Sequence, residues 1–159
     1  MTAHADMTRM RRPAAFLDRD GVLNIDHGYV YRIEDFEWLP GAIDAVQWLN
    51  AQGFYVFVVS NQGGVALGHY TEDDVRHLFD HMQRELSARR ARLDDYRYCP
   101  EHPNGEIARY RKVSDWRKPG PGMILDLMQH WEIDSARSFL LGGKPTDSTT
   151  RTPGARQAS

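Results

Sequence analysis

The most constraining feature of this chain is residues 14–22, where a short apolar run leads directly into two aspartates and a glycine. Alternate side chains of an extended strand point the same way, so Asp18 and Asp20 would face one point where the strand ends. Gly21 would let the chain turn sharply there. Two converging carboxylates suit Mg²⁺, and one carboxylate can attack phosphorus as a nucleophile.

The same Asp-x-Asp-Gly pattern also occurs in ordinary acidic turns and at the start of calcium-binding loops. A calcium loop needs further oxygen ligands at alternate positions and a glutamate at its twelfth residue. The twelfth residue counted from Asp18 is Tyr29, which disfavours a calcium loop. From these residues alone, an acidic turn and a site of phosphoryl transfer both remain open.

Composition limits the class of protein. A length of 159 residues suits one domain, and 41% hydrophobic with 26% charged residues is typical of a soluble globular protein. The net charge of −2 gives no reason to expect a nucleic-acid or membrane partner. No apolar run approaches the ~18 residues of a membrane span, and no signal peptide is recognisable. The single cysteine, Cys99, fits a reducing compartment, so we expect a cytoplasmic location.

Strand and helix patterns alternate along the chain, which is typical of βαβ units around a parallel sheet. The patterns predict strands at about 14–18, 54–60, 93–99 and 138–141. They predict helices at 41–52, from a cap formed by Thr71 and Asp74 onward, and from Pro121 onward. We therefore expect an α/β fold with the functional groups at the carboxyl ends of the strands.

Three further segments supply groups that could bind phosphate or a metal beside the two aspartates. Residues 60–64 (SNQGG) combine a hydroxyl, amides and glycine-freed backbone N–H groups, although turns have a similar composition. Arg117 and Lys118 provide cations, but taken alone they would be interpreted as a surface pair. Asp147 follows the fourth strand, where a carboxylate could approach a metal.

The order of these motifs resembles that of the haloacid dehalogenase phosphatase superfamily, over about residues 16–144. Residues 26–30 (DHGYV) with Phe36 and Glu37 are similar to the D-glycero-D-manno-heptose 1,7-bisphosphate 7-phosphatases, more than to the related histidinol-phosphate phosphatases. The resemblance implies a Rossmann-like parallel sheet with flanking helices over residues 13–147. It also implies a Mg²⁺-dependent hydrolase of carbohydrate metabolism, in the synthesis of lipopolysaccharide heptose.

The resemblance implies a role for each matching residue. Asp18 would form an aspartyl-phosphate, while Asp20 would act as general acid and then as general base. Ser60 and Lys118 would stabilise the transferred phosphoryl group. Mg²⁺ would be bound by Asp18, the Asp20 carbonyl and Asp147. The implied substrate-binding residues are Asp26, His27, Gly28, Tyr29, Asn61, Gln62, Gly63, Arg117 and Lys144.

The chain departs from this family at three places. Relatives carry a structural zinc held by Cys-x-His and Cys-x-Cys. In this chain Glu101 occupies the histidine position after Cys99, with His102 displaced by one residue, and residues 114–116 read SDW in place of the second pair. We therefore predict no zinc. Gly143 stands where the family has a metal-binding aspartate, which predicts weakened Mg²⁺ binding. Residues 148–159 lack apolar periodicity and predict a disordered tail, a missing last strand and a bare edge on the fourth strand.

We therefore expect a flexible segment at 1–12, a phosphatase domain at 13–147 and a disordered tail at 148–159. The expected reaction is removal of the 7-phosphate from heptose 1,7-bisphosphate, at a rate that Gly143 could reduce. One alternative is a phosphatase acting on histidinol phosphate or another small phosphomonoester. The other is an impaired relative that binds a ligand or partner without turnover. We expect a monomer whose partner is a small sugar phosphate.

Overall fold

A parallel sheet forms the centre of the protein. The computed structural model describes residues 11–142 and the backbone of 156–157. In this part of the chain the strands are arranged in the order β3-β2-β1-β4-β5, and every neighbouring pair is parallel. The strands are β1 (Ala14–Leu17), β2 (Tyr55–Asn61), β3 (Asp95–Cys99), β4 (Phe139–Leu141) and β5 (Arg156–Gln157).

The register of the strands aligns their carboxyl ends. Leu17, the last residue of β1, is paired with Val58 on one side and with Leu141 on the other. The backbone N–H of Asp18 then donates to the Leu141 carbonyl at 3.0 Å. Residues that follow β1, β2 and β4 therefore emerge at the same edge of the sheet, as expected for parallel strands.

Helices cover both faces of the sheet, because alternate residues of each strand are apolar on opposite sides. The helices are α1 (Ala42–Ala51), α2 (Glu72–Ala88) and α3 (Gly122–His130). On one face, α1 and α2 pack with Ala15, Leu17, Val56 and Val58. On the other face, α3 packs with Ala14, Phe16, Phe57 and Val59. None of the helices in the described residues is both long and apolar enough to cross a membrane.

The start of α2 confirms the predicted cap. Thr71 Oγ1 accepts from the backbone N–H of Asp74 at 3.1 Å, and Asp74 Oδ2 accepts from the backbone N–H of Thr71 at 2.9 Å. The two bonds satisfy helix donors that would otherwise lack partners. This cap fixes the position of Glu72 and of the loop that precedes the helix.

The structure corrects the expectation of a bare edge on β4. Phe139 and Leu140 pair with Arg156 and Gln157 of β5. Backbone pairing needs no apolar pattern, so the sequence of this segment did not indicate a strand. Residues 1–10, 143–155 and 158–159 lie outside the described residues, and the expectations for the N-terminal segment and the rest of the tail stay predictions.

Candidate active site

The end of β1 places a carboxylate in a buried ion pair. Asp18 is 6% exposed and Lys118 is 5% exposed. Lys118 Nζ lies 3.2 Å from Asp18 Oδ1, which also accepts from the backbone N–H of Arg19 at 2.8 Å. Because both charges are removed from most of the solvent, each depends strongly on its partners.

Asn61, at the end of β2, positions the segment that carries Lys118. The Lys118 backbone N–H donates to Asn61 Oδ1 at 2.8 Å, and Asn61 Nδ2 donates to the Lys118 carbonyl at 3.1 Å. This pair of hydrogen bonds fixes both the position and the orientation of the Lys118 backbone. Asn61 therefore serves the ion pair as well as facing the cleft described below.

Three side chains hold the second carboxylate, Asp20. Its Oδ1 accepts from Arg19 Nη2 at 2.9 Å and from Asn24 Nδ2 at 3.0 Å. Its Oδ2 accepts from Gln62 Nε2 at 3.3 Å. Arg19 is 1% exposed, and its Nη2 also donates to the Val30 carbonyl at 2.7 Å. The Arg19 side chain thus links Asp20 to the long loop that follows β1.

Ser60 and Gln62 lie beneath this carboxylate. Ser60 is fully buried, and its Oγ accepts from Gln62 Nε2 at 2.7 Å. Tyr70 donates its hydroxyl to Gln62 Oε1 at 2.6 Å. Burial raises the pKa of Tyr70 to about 12. The hydroxyl is therefore a hydrogen-bond donor throughout the neutral range.

A cleft of about 320 Å³ opens beside the two aspartates. This volume is at the lower end of the range found for small-molecule sites. Loops after β1, β2 and β3 contribute to its walls. The lining residues are Asp18, Asp20, Asp26, Gly28, Tyr29, Asn61, Gly63, Gly64, Leu67, Tyr70, His102 and Arg117.

Gly63, His102 and Arg117 form one wall of the cleft. A Cβ atom on Gly63 would lie 3.0 Å from Arg117 Nη1 and 3.2 Å from His102 Cδ2, so the absent side chain allows close approach. His102 Nδ1 accepts from the Asn104 backbone N–H at 2.9 Å, which leaves the proton of the neutral ring on Nε2. Partial burial, with the nearby Arg117 charge, lowers the pKa of His102.

The loop after β1 brings only part of the predicted substrate-binding set to the cleft. Asp26 Oδ1 accepts from the Gly28 backbone N–H at 3.0 Å and shapes the turn. Tyr29 has a positive φ of 53°, and its ring centroid lies 4.2 Å from that of His69. His27 does not line this cleft; it is exposed, and its Nε2 lies 3.5 Å from Glu37 Oε1. Lys144 lies outside the described residues.

Several residues of the site were not identified from the sequence. Arg19 and Asn24 hold Asp20, while Tyr70 and His102 line the cleft. For Arg19 the sequence signal was misleading, since strand alternation would direct it away from Asp20, whereas β1 ends at Leu17 and the guanidinium contacts Asp20. Tyr70 and His102 carried none, because their contacts depend on how distant loops pack.

The end of β1 offers oxygen donors of the kind that Mg²⁺ prefers. These are the Asp18 carboxylate, which lines the cleft, and the Asp20 backbone carbonyl. The donors fit Mg²⁺, with further ligands left to water or other groups. Within residues 11–142, no group of three or more His, Cys, Asp and Glu side chains is placed to hold a metal. Gly143 and Asp147 lie outside the described residues.

The segment that corresponds to the zinc site implied by the family resemblance contains a buried thiol. Cys99 is fully buried, with Sγ 3.6 Å from Glu101 Oε1, and burial raises the pKa of the thiol. His102 instead faces the cleft. The absence of zinc stays a prediction.

Comparison with known proteins gives a consistent result. No protein-family model matches the chain. The D-glycero-beta-D-manno-heptose-1,7-bisphosphate 7-phosphatase of Rhodopseudomonas palustris is 51% identical over 147 residues, covering 92% of this chain and 79% of that protein. The enzyme of the same name from Escherichia coli K12 is 46% identical over 135 residues, covering 85% of this chain and 71% of that protein.

A solved structure shares the fold. The D,D-heptose 1,7-bisphosphate phosphatase of B. bronchiseptica, complexed with magnesium and phosphate, superposes with a TM-score of 0.79 at 27% identity. The match covers 91% of this chain and 77% of that one. With the Asp18 and Asp20 arrangement and the sequence matches, this shows that the chain belongs to the D-glycero-β-D-manno-heptose 1,7-bisphosphate 7-phosphatases, a family with the haloacid dehalogenase fold.

Proposed function

We propose that this chain removes the 7-phosphate from D-glycero-D-manno-heptose 1,7-bisphosphate with the help of Mg²⁺. The observation that carries the proposal is the buried Asp18–Lys118 pair beside a polar cleft, with Asp20 held next to it. A nucleophile, a cation for the phosphoryl group and a second carboxylate are the groups that phosphoester hydrolysis through a covalent intermediate needs. The names of the two curated relatives support this substrate.

In the first half of the reaction, Asp18 attacks phosphorus. The new bond joins an Asp18 carboxylate oxygen to phosphorus, and the bond from phosphorus to the sugar oxygen breaks. Asp20, in its protonated form, gives its proton to that leaving oxygen. Lys118 lies against the Asp18 carboxylate, where its positive charge offsets the charge of the phosphoryl oxygens.

In the second half, a water molecule attacks phosphorus and displaces the Asp18 carboxylate. Asp20, now ionised, takes a proton from the attacking water, and the bond from phosphorus to Asp18 breaks. Inorganic phosphate leaves, and Asp18 returns as a carboxylate. Mg²⁺, bound by Asp18, the Asp20 carbonyl and, as predicted from the sequence, Asp147, would supply positive charge that reduces repulsion between carboxylate and phosphate.

The cleft supports recognition of the rest of a sugar phosphate. Arg117 and the Nε2–H of His102 offer donors on one wall. Asp26 and Asn61 provide polar groups for hydroxyls, and the ring of Tyr29 provides an apolar surface. Donors on one wall and acceptors on another suit a ligand that carries both a phosphate and several hydroxyls.

The direct test is phosphate release from heptose 1,7-bisphosphate, histidinol phosphate and an aryl phosphate, with Mg²⁺ or with chelator. We expect Mg²⁺-dependent turnover that favours the heptose ester. Asp18→Asn should abolish it, while Asp44→Asn, at an exposed carboxylate on α1, should not change it. Preference for histidinol phosphate would overturn the substrate, and a folded protein inert toward all three esters would overturn the enzyme.

The metal site can be tested at Gly143. If the missing aspartate weakens Mg²⁺ binding, Gly143→Asp should lower the Mg²⁺ concentration needed for half-maximal turnover. An unchanged requirement would mean that other groups, such as Asp147, already bind the metal.

Metal analysis of the purified protein tests the predicted lack of zinc, since about one zinc per chain would contradict it.

Several properties remain predictions of this proposal. We propose a monomer in the cytoplasm that binds neither nucleic acid nor membrane. The net charge of −2 supports the lack of nucleic-acid and membrane partners, and the single cysteine supports the cytoplasm. Light scattering of the purified chain tests the monomer, and a mass of twice 18.3 kDa would contradict it.

A further inference from the structure

A directed set of hydrogen bonds leads from Tyr70 to two residues of the candidate active site. It begins at the Tyr70 hydroxyl, which donates to Gln62 Oε1 at 2.6 Å. The amide nitrogen of Gln62 then donates to two acceptors, Ser60 Oγ at 2.7 Å and Asp20 Oδ2 at 3.3 Å. Tyr70 was not among the predicted site residues. Through the Gln62 amide it is linked to Ser60 and Asp20, two of the four residues expected to act on the phosphoryl group.

The orientation of the Gln62 amide decides what these bonds do. With the nitrogen toward Asp20 and Ser60, the amide donates to both. If the amide were rotated by half a turn, its oxygen would face the Asp20 carboxylate, and acceptor would meet acceptor. Ser60 would then have to donate to Gln62. In the observed orientation Ser60 Oγ accepts, so its own hydrogen is not used by Gln62.

Tyr70 holds the amide in the orientation that the Asp20 carboxylate requires. The phenol donates to the amide oxygen; toward a rotated amide it could only accept, and the amide oxygen would then face the Asp20 carboxylate. Burial raises the pKa of Tyr70 to about 12, so the phenol keeps its proton at any pH at which the protein would work. Gln62 is 1% exposed, so water cannot readily take the place of the phenol.

The Tyr70 ring itself is held in place from two sides. It stacks on Tyr31 with ring centroids 5.2 Å apart. On another side lies Gly64, where an added Cβ would come within 2.3 Å of Tyr70 Cε2. The hydroxyl is therefore presented to Gln62 by a ring with little room to move, which is what a positioning group requires.

We infer that Tyr70 is a positioning residue for phosphoryl transfer, which orients the Gln62 amide and through it Asp20 and Ser60. This inference rests on the proposed function, because it assigns Tyr70 a part in that same reaction. Tyr70 acts through Gln62 and not by touching the reacting atoms.

The kinetic test is a double-mutant cycle between Tyr70 and Gln62. Tyr70→Phe keeps the ring and removes only the hydroxyl, and it should lower kcat about tenfold with KM changed less than about twofold. In a Gln62→Met background the same change should cost almost nothing, because the residue through which Tyr70 acts is gone. Tyr31→Phe is the matched control, since it removes a hydroxyl from the stacked ring and should leave kcat unchanged.

A second measurement does not depend on turnover. The side-chain amide signals of Gln62 can be assigned by NMR from their loss in Gln62→Met. We expect slow hydrogen exchange of these protons in the wild type, exchange at least about tenfold faster in Tyr70→Phe, and no change in Tyr31→Phe.

The outcomes separate the two proposals. A wild type without turnover overturns the proposed function, and the exchange rates still show whether the Tyr70 hydroxyl holds the Gln62 amide. Unchanged exchange in Tyr70→Phe overturns the inference. So does a tenfold loss of kcat in Tyr70→Phe that persists in the Gln62→Met background, since Tyr70 would then act by another route.

Discussion

Lys118 and Asp18 form a buried ion pair, with Nζ 3.2 Å from Oδ1. The two residues are far apart along the chain, since Asp18 follows β1 and Lys118 lies just before α3. Asn61 makes the pairing possible, because its side chain holds the Lys118 backbone from 57 residues away. The pair combines a structural and a chemical role. A change in either partner should therefore affect both stability and turnover.

Lys118→Met should lower the free energy of unfolding by about 3 kcal/mol, since it leaves the Asp18 carboxylate buried without its cation. Turnover should fall by about a hundredfold or more, because the phosphoryl group loses a positive charge. Urea unfolding and phosphate release measure the two effects. Adding Asp18→Asn should restore part of the stability but no activity. A Lys118→Met protein as stable as the wild type would mean that the ion pair is not formed in solution.

Arg19→Lys should impair the site although it keeps the charge. The guanidinium donates to Asp20 and to the Val30 carbonyl from one planar group, and a single ammonium cannot reproduce that geometry. We expect a loss of about 2 kcal/mol in the free energy of unfolding and a lower kcat. The exposed pair of Arg32 and Glu34 provides the control, since Arg32→Lys should change neither quantity. An active, stable Arg19→Lys protein would show that charge alone suffices.

Two neighbouring glycines should respond differently to alanine. In Gly64→Ala the new Cβ would meet the Tyr70 ring at 2.3 Å, and that ring is already packed against Tyr31. In Gly63→Ala it would meet the end of the Arg117 side chain at 3.0 Å, which can move. We expect Gly64→Ala to lower the free energy of unfolding by about 2 kcal/mol and Gly63→Ala to lower it by less than about 1 kcal/mol. Thermal unfolding of both variants tests the order, and the reverse order would contradict this packing.

Stability at acid pH should depend on Glu72. Burial tends to raise the pKa of this carboxyl, but hydrogen bonds from Tyr110 at 2.6 Å and Tyr98 at 2.7 Å outweigh it, and the pKa is lowered. A lowered pKa in the folded state stabilises the protein above the ordinary glutamate pKa of about 4.3, and this contribution is lost as pH falls through the folded value.

Glu72→Gln should therefore be less stable than the wild type at pH 7, and the difference should shrink as the pH falls below about 4. Denaturant unfolding across this range measures the difference. Glu106→Gln, at an exposed carboxylate, should follow the wild-type curve. A difference between Glu72→Gln and the wild type that is constant with pH would show that ionisation of Glu72 plays no part.

Local patterns predicted much of the fold because their physical causes are local. The apolar run before Asp18 predicted β1, and Thr71 with Asp74 predicted the start of α2. The third strand began at Asp95 instead of residue 93. The sequence alone did not reveal β5, whose pairing depends on backbone groups that every residue carries.

The order of residues along the chain was enough to place Asp18 and Asp20 together at the end of a strand, since the two-residue period of a strand is a local property of the backbone. Packing alone decided that Tyr70 reaches Gln62, that His102 lies beside Arg117 and that His27 turns away from the cleft. Each of these contacts lies within one irregular loop between a strand and the next α-helix, and the path of such a loop depends on the neighbours against which it packs. No local period relates such residues, so only the folded arrangement of the sheet brings them together.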